Sequence, residues 1–142
     1  VDFPFEQVAP SWQISFEAPS QAGLLGIADQ DLRVIRVYLQ DDESDAALAF
    51  TLAHEMAHAL DALNLTPDER AEYRSLRGIS QSLDWLWEWD GGSSGDFVMP
   101  ASDFAESFAV ATTGDASHWA SDLGPPPPAS VQQRVVAMAT EV

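Results

Sequence analysis

His54, Glu55 and His58 read H-E-x-x-H, and residues 47–63 around them contain neither Gly nor Pro. Such a stretch favours helix, where positions i and i+4 lie on one face, one turn apart. Two imidazoles so placed can share one metal ion. Glu55 stands about 100° round the helix from His54. From there its carboxylate can take a proton from a water without binding the metal itself. Two neutral nitrogens and an adjacent base are the parts of a hydrolytic zinc centre. The competing interpretation is a half-buried helix with two ordinary polar residues and a surface charge. It is disfavoured because two of the chain's three histidines are here, and because Phe50, Leu52, Ala53, Ala57 and Leu60 make the helix largely apolar. A mostly buried helix is destabilised by mid-span polar groups that have no partner.

A catalytic zinc usually takes three protein ligands and keeps one open position. Asp61 is seven residues beyond His54, about 10.5 Å along the helix, too far to share the ion. In the extended pattern H-E-x-x-H-x-x-G-x-x-H, Asp61 stands where the glycine belongs and Asn64 where the last histidine belongs, which argues against that class. Asp61 is expected instead to pair with an arginine or to support the site from behind. The third ligand is then expected from a later helix, and residues 102–109, S-D-F-A-E-S-F-A, fit. Asp103 and Glu106 are i, i+3 and share a face, while Phe104, Phe108 and the alanines can pack that helix on the core.

Together the two segments resemble the gluzincin-type zinc metallopeptidases. More narrowly they are similar to small zincins that pair H-E-x-x-H with a downstream E-[DF]-F-A-E-x-F-A helix, as in the lethal-factor-type peptidase domain. The resemblance covers residues 47–63 and 100–114 closely, and the order of elements between Leu32 and Gly114 loosely. In that family the zinc-binding Glu stands four residues before the second Glu, and here that place is Ser102. The third ligand is therefore Asp103, one residue on, or Glu106. Asp103 sits in the D-F-A-E pattern and is slightly preferred, with Glu106 then free to orient a histidine. Glu106 has the longer reach and points about 40° from the Ser102 direction, against about 100° for Asp103. The same pair also matches a capping box, with Asp103 as N-cap and Glu106 at N3.

The resemblance implies one α+β zincin-like domain over residues 1–142, with a small twisted sheet, an active-site helix and three further helices. It implies a zinc-dependent peptidase acting on a peptide or protein substrate. Zn2+ would be held by His54, His58 and either Asp103 or Glu106, with Glu55 as general base. It implies too that the strand before the H-E-x-x-H helix pairs with an extended peptide. A non-peptidase zinc hydrolase and a zinc-binding protein without turnover fit the same residues. His118, Tyr38 and Tyr73 are candidates to donate to an oxyanion.

The elements that must position these residues have their own signals. Residues 12–17 alternate apolar and polar with the period of a strand. Residues 32–39, L-R-V-I-R-V-Y-L, are β-branched and give the strongest strand signal. Residues 1–10 are expected to be an extended arm and residues 19–26 a loop. Acidic residues 41–45 lead into the H-E-x-x-H helix, expected over 45–63, where the helix dipole favours them. Thr66-Pro67 starts a second helix that stops at Gly78. Trp85, Trp87 and Trp89 suggest an extended segment or a helix, and residues 91–95 a flexible loop. A third helix is expected from about Ser102 to Gly114, then a stiff proline run, 125–128, and a last helix over 129–141.

The chain carries six Arg, no Lys and 23 acidic residues, for a net charge of −17. That charge repels nucleic acid and anionic membrane surfaces, and it would attract basic peptides. No run of about 18 apolar residues is present and no signal-peptide pattern opens the chain, so neither membrane insertion nor a leader is expected. With no Cys, zinc must be held by His and carboxylate. An extracytoplasmic or secreted location is compatible with this composition.

Overall fold

The computed structural model describes residues 3–20, 23–86 and 96–141. It is an α+β fold. Strands β1 (Gln13–Glu17), β2 (Gly26–Asp29) and β3 (Val34–Tyr38) form one sheet in the order β1-β3-β2. β1 runs parallel to β3 and β2 antiparallel to it. The helices are α1 (Phe5–Val8), α2 (Asp45–Asn64), α3 (Pro67–Arg77), α4 (Pro100–Thr113) and α5 (Ala129–Thr140), with a 3-10 turn at Asp96–Val98.

Local chemistry sets the helix ends. Ser44 caps α2 by accepting from Ala47 N at 3.1 Å. Thr66 and Glu69 form a reciprocal capping box at the start of α3, followed by Pro67. Gly114 ends α4 with φ 70°, a left-handed conformation that glycine adopts without steric cost.

α2 packs chiefly on α4. Ala53 and Ala57 on one side, and Ala101, Ala105 and Ala109 on the other, are fully buried. These small residues let the two helices approach closely. Ile35 and Val37, also fully buried, face α2 from β3. Phe104, Phe108, Met56 and Leu60 fill the space between the layers, each contributing about 1.5–3 kcal/mol of burial. At the far end of α2, Asn64 Nδ2 donates to Ala139 O at 2.6 Å and to Gln7 Oε1 at 3.3 Å, while Gln7 Nε2 donates to Thr140 O at 3.0 Å. The last turn of α5 thus has its carbonyls bound by side chains from two other parts of the chain.

Four expectations change. Residues 5–8 form a short helix within the supposed extended arm. β2 is a strand where only a loop followed by unassigned residues was expected. It is short, begins with Gly, and exists through its hairpin with β3, whose turn is closed by Leu32 N donating to Asp29 Oδ1 at 2.9 Å. α4 begins at Pro100, two residues before the expected start, so Asp103 lies inside the helix and is not its cap. Finally β3, the strand preceding α2, is central and paired on both sides. Its ladder is full, and it cannot accept a substrate strand. Trp87, Trp89 and the glycine-rich stretch 91–95 lie outside the described residues.

Candidate metal and catalytic site

α2 carries His54, Glu55 and His58 as the alternation of its turns requires, and all three are over nine-tenths buried, at 7%, 7% and 8% exposure. The rings of His54 and His58 meet edge to face with Nε2 atoms 3.1 Å apart. Two nitrogens bound at about 2.0–2.1 Å to one tetrahedral ion lie about 3.3 Å apart, so this separation suits a shared metal. It equally suits an N–H···N bond between two neutral rings.

Glu106 comes from α4 and is 2% exposed. Its Oε1 accepts from Ala120 N at 3.2 Å. Its Oε2 is buried without a hydrogen-bond partner and lies 3.6 Å from His54 Nδ1. That gap is too long for a hydrogen bond. A buried carboxylate oxygen in this state is destabilising unless a proton or a cation comes to it.

Asp103, one turn earlier, is fully buried and spends both oxygens. Oδ2 accepts from Tyr73 Oη at 2.6 Å and Arg77 Nε at 2.8 Å, while Oδ1 accepts from Ser121 Oγ at 2.6 Å and Arg77 Nη2 at 3.2 Å. Burial and the neighbouring Asp103 charge push the Tyr73 phenol well above its ordinary pKa. Burial opposes the Arg77 charge, yet its bonds to Asp103 raise its pKa. Arg77 also donates to Pro125 O at 2.6 Å and lies over the Trp119 ring at 5.4 Å. Asp103 is thus the hub that ties α3 and the segment 119–125 to α4.

Asp61, expected to pair with an arginine, accepts from Arg70 Nε at 3.0 Å and from Trp85 Nε1 at 2.6 Å. Burial raises its pKa against the pull of Arg70. Ser102, at the place where the resembled family carries its zinc-binding Glu, is fully buried.

A cleft of about 330 Å3 opens onto these groups. His54, Glu55, Glu106 and His118 line it together with the apolar Leu24, Leu25, Phe50 and Phe97. His118 stands 5.8 Å from Phe50 between ring centroids and 3.7 Å from Asp115 Oδ2. Tyr73 is not available to the cleft, because it is fully buried with its hydroxyl between Asp103 and Ser107. Tyr38, on β3, does not line it.

The structure therefore brings His58 to His54 through their Nε2 atoms and Glu106 to His54 on its Nδ1 side, sets His54, Glu55, Glu106 and His118 on one cleft that His58 does not line, and commits Asp103 elsewhere. The donors suit zinc in type, and the two nitrogens suit it in separation. Yet among the described residues no three His, Asp or Glu side chains converge closely enough to enclose an ion. Sequence reasoning missed Arg77 and Ser121 as partners of Asp103, and Gly26 and Phe97 as cleft residues. A lone Arg or Ser far along the chain carries no local signal of its partner. No protein-family model, no curated protein and no solved structure matches this chain.

Proposed function

We propose that the chain is a zinc-dependent peptidase, with His54, His58 and Glu106 as metal donors and Glu55 as general base. The observation that carries this is the pair of Nε2 atoms of His54 and His58 3.1 Å apart, with His54 and Glu55 both lining one cleft. Glu106 is preferred to Asp103 as third donor because its Oε2 has no hydrogen-bond partner, while both Asp103 oxygens are taken by Tyr73, Arg77 and Ser121. Oε2 faces His54 Nδ1, so the Glu106 side chain must swing to join an ion held by the Nε2 pair.

Zinc, when bound, lowers the pKa of a water and polarises the scissile carbonyl. Glu55 accepts the water's proton on its carboxylate and delivers it to the leaving amine, so that amide and water become acid and amine. His118 lines the same cleft and donates to the oxygen that gains charge on the substrate carbonyl. Leu24, Leu25, Phe50 and Phe97 supply apolar walls that exclude water from the reacting groups. Since β3 is paired on both sides, an extended substrate would pair with a sheet edge instead, and β2 is the edge strand whose Gly26 lines the cleft.

Elemental analysis of protein purified without added metal tests the reading. About one zinc per chain is expected, lost in both His54→Ala and His58→Ala. Unchanged zinc in both variants would overturn the assignment. A peptide library assayed beside ester substrates separates a peptidase from another hydrolase. A zinc-binding protein without turnover is the second reading. Stoichiometric zinc with no hydrolysis of either substrate class would establish it.

A further inference from the structure

β2 meets the cleft at Gly26, where the room for a side chain is already taken. A Cβ there would lie 2.9 Å from Glu55 Cγ, 3.1 Å from Glu55 Oε1 and 3.1 Å from Thr51 Cγ2. Non-bonded carbons settle about 3.5–4.0 Å apart, so something would have to shift. The strand cannot easily retreat, because Gly26 is in register with Val37, which is fully buried against the core. Thr51 is β-branched on a helix and stiff at χ1. The Glu55 side chain is the part able to move. Nor does backbone conformation ask for glycine here: Gly26 is absent from the positive-φ glycines, Gly23, Gly78 and Gly114. A glycine inside a strand weakens it and marks a close approach of the backbone to another group.

We infer that Gly26 is a positioning residue for Glu55. Its missing side chain lets the β2 backbone form the wall that holds the Glu55 carboxylate at the cleft, and any larger residue displaces that carboxylate. The consequence for turnover rests on Glu55 being the base proposed above. The steric coupling between positions 26 and 55 does not.

A double-mutant cycle on the full chain tests both parts. Gly26→Ala is expected to lower Tm by about 3 °C or more when Glu55 is present. In the Glu55→Ala background, where the side chain is cut back, the fall should be less than about half as large. Equal falls in the two backgrounds would overturn the inference. If Gly26→Ala alone does not fold, recovery of folded protein in the double variant supports the coupling, and no recovery overturns it. In the zinc-loaded single variant, zinc per chain should be unchanged, kcat should fall about tenfold or more, and KM should stay within about threefold. A kcat within about twofold of wild type would remove the positioning role. Wild-type protein that neither binds zinc nor cleaves peptides would defeat the peptidase reading, while the Tm cycle would still decide the coupling.

Discussion

Glu106 and Asp103 sit one turn apart on α4, and their surroundings give them different work. Asp103 is fully buried and holds the Arg77 guanidinium through both oxygens. Asp103→Asn leaves that cation without its counter-charge, which costs about 3–5 kcal/mol in buried pairs. A marked fall in Tm is expected by circular dichroism, with zinc per folded chain unchanged. Glu106→Gln removes the carboxylate facing His54 and should lose most of the bound zinc while changing Tm little in the apo protein. Reversed outcomes would make Asp103 the donor. Glu55→Gln keeps the size of the side chain and loses its basicity. Fold and zinc content should persist while kcat drops by about 10²–10⁴, and turnover near wild type would show that Glu55 is not the base. The H-E-x-x-H residues were legible in the sequence because one helix turn brings them together without help from the rest of the chain. The division between Asp103 and Glu106 was not, since it depends on Tyr73, Arg77, Ala120 and Ser121, which only the tertiary fold delivers.

The elements carrying strong local signals came through at nearly their expected bounds. α2 has its Ser44 cap and a run free of Gly and Pro, α3 its Thr66/Glu69 box and Gly78 stop, and β3 its β-branched core. β2 escaped because Gly-Ile-Ala-Asp has little strand preference of its own and is held by β3 and α2. The early start of α4 had a signal, Pro100 at the first helical position, which the acidic pair after it obscured. α3 and α5 are joined at their surfaces by Arg134, which donates to Glu72 at 2.6 Å and 3.0 Å. The hydrogen bond from Arg134 holds the Glu72 pKa below its ordinary 4.5. A lowered carboxylate pKa means stability that is present above 4.5 and lost as pH falls through the lower folded value. The pair is half exposed, so the effect is small, about 0.2–1 kcal/mol. Glu72→Gln should therefore lower Tm slightly at pH 7 and by less at a pH well below 4.5. An equal difference at both pH values would show that the lost contact, rather than the charge, was responsible.

At the scale of the whole molecule, charge dominates. With 23 acidic residues against six arginines, the folded chain at neutral pH works against its own repulsion. Two of those arginines are spent on buried carboxylates, Arg70 on Asp61 and Arg77 on Asp103, which leaves the outer surface still more one-sided. Raising salt from about 0.01 M to about 0.15 M shortens the screening length from about 30 Å to about 8 Å. Tm should rise over that range in a monovalent chloride, because the repulsion relieved exceeds the few exposed ion pairs weakened. A fall in Tm would mean that those pairs outweigh the net charge. The sequence alone fixed the sign of this field, whereas the burial of its counter-charges became visible only in the fold.

The side-chain amide hydrogen bonds from Gln7 to Thr140 and from Asn64 to Ala139 bridge sequence separations of 133 and 75 residues. The polypeptide is in effect a ring fastened by two side-chain clasps. A clasp of that span closes only after the chain between has found its place, since the entropy of so long a loop must first be overcome. Those clasps are therefore expected to close late in folding, after α2 and α4 have packed on each other.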